Sequence, residues 1–455
     1  MARLRRSRLS LLAGLGPLLF AAAPPPDGAV LRAATTPLNV RVAPNNLSDR
    51  IGLLAEGAAV LTAPEPVEGP GCADGWVALV DGGFACGEFL APSTGAPQAI
   101  PELVAFDPPT PDEYASYRDD GSYDAEPVAS APHLLPFIYG KQWRGWKGAV
   151  YASAVHYEHA DSAMSALERG SKHAFIDAVD TSRGQVLVQD DGSVVPLDQV
   201  FLFPVSRFAG RDLVADPVPR GTRPAWVYGY DGASVREAPT PKAAVGATLS
   251  FQQAIAVQNV PATPDGRWWR VPGGLGGGKD GYVDAKSEVR VWQPAPSPAD
   301  LPVGLLWLDV DTDTQLLAVI KGDEPVYMTL VSTGTSGRYE TPTGLYSIKD
   351  KAAWGDMASL VGADEAYHVE KVPWIAHYWP RYALHGVFWH WGFGNKASHG
   401  CVNLAPLDAA WIFAHMAPNQ PDGWHTVWST IDNPGATLRI RKGLDLDLED
   451  RRQGP

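Results

Sequence analysis

Apolar residues in this chain come in runs of a few positions, and nearly every run is closed by Gly, Pro, Asn or Asp. That texture builds short strands joined by turns and leaves little room for long helices. The 46 Gly and 41 Pro among 455 residues agree with it, so the expected fold class is mainly β. At this length one core does not suffice, and the punctuation divides the chain into several segments. Strand-like runs fill 36–92, for example Leu38-Asn39-Val40-Arg41-Val42 and Trp76-Val77-Ala78-Leu79-Val80. Residues 96–136 are rich in Pro, Asp, Ser and Tyr without periodicity and read as a linker. A middle domain of unreadable function spans 137–216, with a strand at Gly184–Gln189 and a hairpin turn at Asp190-Asp191-Gly192. Further strands fill 225–291, a Pro-rich linker spans 294–300, a last domain 303–441 and a tail 442–455.

The first residues carry Arg3, Arg5, Arg6 and Arg8, then an uncharged run from Leu9 to Phe20, then three alanines. Positive, apolar and small residues in that order read as a signal peptide at 1–23, so the protein is expected outside the cytoplasm, in the periplasm or cell-wall space, with no integral membrane segment once the signal is removed. An oxidising compartment makes cysteine arithmetic informative. Cys72 and Cys86, fourteen positions apart, can close a loop worth about 3 kcal/mol by chain entropy, which leaves Cys401 as an odd thiol. An unpaired thiol in an exported chain points to used reactivity. The net charge of −14 supplies no basic stripe for phosphates, so nucleic acid is not an expected partner.

Segments 36–92 and 225–291 run in parallel. Val40-Arg41-Val42-Ala43-Pro44 answers Val235-Arg236-Glu237-Ala238-Pro239, and each is followed by a Trp strand, at Trp76 and at Trp268-Trp269. Both segments resemble bacterial SH3-type β-barrels, a family attached to wall-acting enzymes, and serve either as ligand-binding modules or as spacers.

The last domain opens with a meander: Leu306–Val310, a turn at Asp311-Thr312-Asp313-Thr314, Gln315–Ile320, a turn at Gly322-Asp323, and Val326–Val331. A turn at Glu340–Gly344 leads to a strand at Leu345–Ile348. The chemistry follows in two stretches, Tyr382-Ala383-Leu384-His385-Gly386 and Ser398-His399-Gly400-Cys401-Val402-Asn403-Leu404. A thiol is mostly protonated near neutral pH, so a nucleophilic cysteine needs a base. His399, two positions before Cys401, shares its face if the segment is a strand; His385 can reach the thiol from an adjacent strand, and is the expected base. Gly386, Gly392, Gly394 and Gly400 leave room for backbone N–H groups to meet an oxyanion, with Gly400 and Cys401 the expected place. Pro406 fits the first turn of a helix whose expected apolar face is Leu407, Ala410, Trp411 and Ala414.

Ser398-His399-Gly400-Cys401-Val402-Asn403 preceded by His385-Gly386 resembles the L,D-transpeptidase family with its YkuD-type catalytic domain. The resemblance covers about 303–441 and implies a β-sandwich with a short helix after the nucleophile. It further implies that Cys401 attacks the third residue of a peptidoglycan stem tetrapeptide, that D-alanine leaves, and that a neighbouring stem's amine resolves the thioester into a 3-3 cross-link. His385 is then the base, oriented by a backbone carbonyl near Gly386. His399 and Gly400 line the oxyanion region, with Ser398, Gly386, Asn403 and Tyr382 around the substrate. Many relatives carry Arg where Asn403 stands, which leaves the acceptor open.

Other functions are less consistent with these residues. His377, His385, His390 and His399 crowd the stretch around Cys401, yet no His-Glu-x-x-His or Cys-x-x-Cys is present, so no metal and no cofactor are expected. His390 with Phe388, Trp389, Trp391 and Phe393 forms either a flap over the substrate or the packed aromatic side of a sheet. A carboxypeptidase would share the acyl-enzyme and use water as acceptor, and a silent wall-binding protein would have little use for Cys401 with His385.

Overall fold

The computed structural model describes residues 28–95, 135–143, 145–203, 205–359 and 367–453; the expected signal at 1–23 and nearly all of the 96–136 linker lie outside the described residues. The fold is mainly β. Its contacts separate two compact units, one made of 1–205 with 352–373 and 421–427, the other of 206–351 with 374–420 and 428–455.

The first unit begins with a seven-strand module, Val30–Ala34, Leu38–Arg41, Arg50–Leu54, Ala59–Thr62, Trp76–Ala78, Phe84–Cys86 and Leu90–Pro92. It starts earlier than 36 because Val30–Ala34 is the central strand of one sheet, pairing with Ala59–Thr62 and Leu90–Pro92. Cys72 and Cys86 are disulfide-bonded with Cα atoms 5.6 Å apart, within the usual range for such a bridge. The middle domain follows, its hairpin Asp177–Thr181 with Gly184–Val188 closing over the buried Phe175, Leu187 and Val195. The strand segment from His368 to Lys371 is bonded to this domain, the Lys172 N–H donating to His368 O (2.9 Å) and the Glu370 N–H to Lys172 O (2.9 Å). Glu370 accepts from His173 Nδ1 (2.9 Å) and from the Ala174 N–H (2.9 Å), and Lys371 pairs with Asp190 at 2.8 Å.

The second unit contains a module with the same strand order: Thr222–Val227, Ala233–Arg236, Val245–Leu249, Ala254–Gln258, Trp268–Val271, Gly281–Asp284 and Val289–Val291. Its first strand is again central, between the fourth and the seventh. The two modules even share a bulge at the end of their second strands, at Val40/Arg41 and Val235/Arg236. There the arginine in question closes the next turn from inside. Arg41 Nη1 donates to Ser48 O (2.5 Å) and Arg236 Nη1 to Ala243 O (2.9 Å), seven positions on in both cases. The arginine of the repeated sequence pattern therefore holds a turn.

This unit also holds a six-stranded sheet in the order Arg211–Asp212, Glu324–Leu330, Leu316–Lys321, Leu306–Asp311, Thr437–Arg441, Gly344–Ser347. Leu306–Asp311 and Thr437–Arg441 run parallel, and their register sets Asp309 beside Arg439 and Asp311 beside Arg441. All four side chains are buried. Arg439 Nε and Arg441 Nε donate to Asp309 Oδ1 at 2.7 and 3.0 Å, and Arg441 Nη1 to Asp311 Oδ2 at 3.1 Å. Spare guanidinium donors reach the linker and the residue before it, Arg439 Nη1 to Pro296 O (2.5 Å) and Arg441 Nη2 to Gln293 O (2.7 Å). The Pro-rich linker is thus tied down by buried charge.

The helix Pro406–His415 begins with Pro at its first turn, but its buried residues are Pro406, Asp408, Ala409, Ile412 and Phe413, so the expected face is rotated. The reason is polar. Asp408 accepts from Tyr327 Oη (2.6 Å), the Gly210 N–H (2.6 Å) and Thr329 Oγ1, which turns it inward, while Ala414 faces solvent. Burial pushes the Asp408 carboxyl up to about 6 against these bonds. The other end is held by buried Lys351, whose Nζ donates to Phe413 O (2.6 Å) and Met416 O (2.8 Å).

Removing one partner of a buried ion pair leaves an uncompensated charge, so Asp309→Ala should lower the unfolding free energy by about 3–5 kcal/mol. Denaturant unfolding of the variant beside the wild type measures this, and a loss under about 1 kcal/mol would show that the arginines find other partners.

Candidate active site

Three strands of the second unit build the site. Val402–Leu404 pairs in parallel with Tyr382–Gly386, and that strand pairs antiparallel with the end of His368–Trp379. The register places His385 beside Asn403 and Leu384 beside Val402, so Cys401, one position earlier, lies level with Ala383. Side chains alternate across a strand, and Ala383, His385, Cys401 and Asn403 therefore leave one face together. His377, level with Ala383 on the third strand, extends that row and pairs with Asp350 at 2.7 Å.

His385 is buried, and its Nδ1 donates to Gly386 O at 3.1 Å, so the proton sits on Nδ1 and Nε2 is left as the base. Burial pulls the imidazole down to about 4, which keeps it neutral at physiological pH. Trp389 stacks beside it, with ring centroids 6.0 Å apart. Cys401 is the free cysteine among the described residues. Burial pushes its thiol up, opposed by the Ala383 N–H that donates to the sulfur. At neutral pH the site thus pairs a protonated thiol with an unprotonated base.

The turn before Cys401 is closed by Ser398. Its Oγ donates to Cys401 O (2.5 Å) and accepts the Gly400 N–H (3.0 Å). Gly400 has φ +121°, and an added Cβ would stand 2.6 Å from a Tyr382 ring carbon. Its carbonyl accepts from Thr341 Oγ1 at 2.8 Å, and the same hydroxyl accepts the Gly334 N–H. This compact turn is why His399 is not on a strand: the φ of Gly400 breaks the extended backbone, and His399 stands exposed against Tyr339 with centroids 4.4 Å apart. The Gly400 N–H is taken by Ser398 and is therefore not available to an oxyanion.

After Gly386 the chain forms the aromatic loop 387–395. Phe388 and Phe393 are buried, Phe393 stacking on Phe208, whereas Trp389 and Trp391 are half-buried. Half of the candidate flap is therefore core. Gly392 and Gly394 serve packing, since a side chain at Gly392 would meet the Tyr230 hydroxyl and the Gly394 N–H donates to Val331 O (2.9 Å). Asn403 Nδ2 donates to His390 Nε2 at 3.0 Å. Sequence reasoning missed this link, along with Thr341 and Asp408, because nothing in local spacing joins a loop residue to a strand thirteen positions on. Among the described residues no group of three or more His, Cys, Asp or Glu is placed to hold a metal ion.

Residues 306–428 match the model of the L,D-transpeptidase catalytic domain, YkuD, and that segment carries such a domain. The protein YciB of Bacillus subtilis (strain 168), whose name assigns it to the L,D-transpeptidases, is 24% identical over 129 residues, 24% of this chain and 61% of that protein. The chain thus spans about six-tenths of that curated relative's length. Among solved structures, the L,D-transpeptidase from Mycobacterium smegmatis is 17% identical over 49% of this chain and 100% of its own, with TM-score 0.25. The catalytic domain from the E. faecium L,D-transpeptidase is 16% identical over 30% and 98%, with TM-score 0.24.

Gly400→Ala should leave the protein folded and slow acylation of Cys401 by about tenfold or more, because the left-handed backbone and the Tyr382 contact together carry roughly 1–3 kcal/mol of strain. Stopped-flow or mass-spectrometric acylation rates test it; an unchanged rate would mean that this turn does not set the position of the sulfur.

Proposed function

We propose that this protein is an exported peptidoglycan L,D-transpeptidase, working as a cysteine acyltransferase on stem tetrapeptides in the periplasm or cell-wall space. The observation that carries it is the parallel pairing that puts Cys401 and a buried, Nδ1-tied His385 on one face of the sheet. In the first half-reaction His385 Nε2 takes the thiol proton while the sulfur attacks the carbonyl carbon of the third stem residue. The oxyanion is met by the Cys401 N–H in the region lined by His399 and Gly400. The C–N bond to D-alanine breaks, and the imidazolium returns the proton to the departing amine. In the second half-reaction a neighbouring stem's amine attacks the thioester, its proton passes to His385, and the C–S bond breaks to give a 3-3 cross-link. With water as acceptor the same acyl-enzyme would make the protein a carboxypeptidase.

The two seven-strand modules are best read as SH3-type barrels, and their shared strand order and bulge support this. The leader at 1–23 is best read as a signal peptide, in keeping with a substrate outside the cytoplasm.

Incubation with tetrapeptide-rich peptidoglycan followed by mass spectrometry of the digested wall should show 3-3 cross-linked dimers with wild type and none with Cys401→Ala. Tripeptides alone would replace the transferase by the carboxypeptidase, and dimers from Cys401→Ala would remove the nucleophile. The strained carbonyl of a carbapenem should also acylate the thiolate. Intact-protein mass spectrometry should show one added carbapenem on wild type, slower addition on His385→Ala and none on Cys401→Ala; no adduct on folded wild type would contradict the acyl-enzyme.

A further inference from the structure

We propose that His390 is a positioning residue that fixes Asn403 as the hydrogen-bond acceptor for the attacking amine, and that the 222–291 module holds the loop on which His390 stands. This rests on the transferase reading and assigns the acceptor side of that same site.

Asn403 lies beside His385 in the parallel register, so its amide emerges next to the base on the reactive face. Its backbone is locked by bonds in both directions with Ser332, at 2.9 and 3.0 Å. Its Nδ2 is held by His390 Nε2 at 3.0 Å, whereas Oδ1 has no partner among the described residues. An amide held at its donor end presents its acceptor end in a fixed direction. Because Nε2 accepts, the His390 proton sits on Nδ1, which is buried and has no partner among the described residues. Burial, and then the neighbouring His385, pulls His390 down to about 4, which keeps Nε2 available as an acceptor.

The loop around His390 is held from the module. Gln252 Nε2 donates to Trp391 O (2.7 Å), Arg290 Nε to Gly394 O (3.0 Å), and Asn395 Nδ2 to Tyr228 O (3.3 Å). Three bonds thus fix the loop within five residues of His390, and Phe393 beneath the imidazole, with centroids 5.2 Å apart, sets its tilt.

The chemistry needs such an acceptor. An amine attacking the thioester keeps N–H bonds that must be satisfied while its lone pair points at the carbonyl carbon. Asn403 Oδ1 takes one of them, the N–C bond forms, a second N–H proton passes to His385 Nε2, and the sulfur leaves and recovers that proton. Water, the competing acceptor, is small enough to attack without this guidance.

The test measures both halves of the reaction with a tetrapeptide donor and a stem-peptide amine acceptor. His390→Leu keeps bulk and removes the acceptor for Asn403. It should slow Cys401 acylation less than about threefold, yet raise the KM for the amine about tenfold, the effect of one ordinary hydrogen bond, and shift products toward hydrolysis. His390→Gln, which restores an acceptor, should recover transfer. Gln252→Ala combined with Arg290→Ala should shift the partition in the same direction as His390→Leu. Equal losses in both halves, an unchanged partition in folded His390→Leu, or no recovery with His390→Gln would overturn the inference while leaving the transferase intact. Wild type that hydrolyses without transferring would overturn both.

Discussion

The reactive site depends on one parallel pairing between two short strands, Tyr382–Gly386 and Val402–Leu404. Parallel strands cannot be joined by a tight hairpin, so the chain between them must make an excursion, and here that excursion is the aromatic loop and the turn before Cys401. A slip of one residue would send Cys401 and His385 to opposite faces. The register is therefore pinned from outside the pair. Ser332 bonds Asn403 in both directions, and Thr341 holds the Gly400 carbonyl. The helix behind the strand is fixed at its start by Asp408 and at its end by Lys351. Each of these contacts joins the chemistry to the six-stranded sheet or its connections, whose own parallel pair is locked by the Asp309, Asp311, Arg439 and Arg441 cluster.

Electrostatics follow from the same burial. A thiol pushed up and an imidazole pulled down do not exchange a proton at rest, so the sulfur stays unreactive until a carbonyl is in place to receive it. Such a pair limits the oxidation to which a standing thiolate would be exposed.

Much of this was legible in the sequence because it rests on local chemistry. The alternation and turns of 306–348 gave the meander, Ser398 to Asn403 with His385-Gly386 singled out the thiol and the imidazole that the parallel register brings to one face, and the Val-Arg-x-Ala-Pro pattern marked a repeat that the matching strand orders bear out as duplicated architecture. What stayed hidden depends on contacts distant in sequence. The face of the helix was misjudged because an Asp reads as solvent-facing unless Tyr327, Thr329 and the Gly210 N–H are known to await it. The central strand Val30–Ala34 was overlooked because its partners lie about thirty and sixty positions on. His399 looked strand-borne until the φ of Gly400 turned it out. The aromatic loop showed its composition but not that Gln252 and Arg290 hold it.

The pH dependence of covalent capture of Cys401 tests the central claim most directly, since it reads the proton inventory of the thiol and imidazole as a pair. A neutral thiol served by a neutral base predicts a capture rate that stays level from neutral pH down to about 5 and falls with a midpoint near 4, where His385 becomes protonated. A midpoint near 6.5, that of a free imidazole, or a rate that changes about tenfold per pH unit throughout, following bare thiolate, would contradict it.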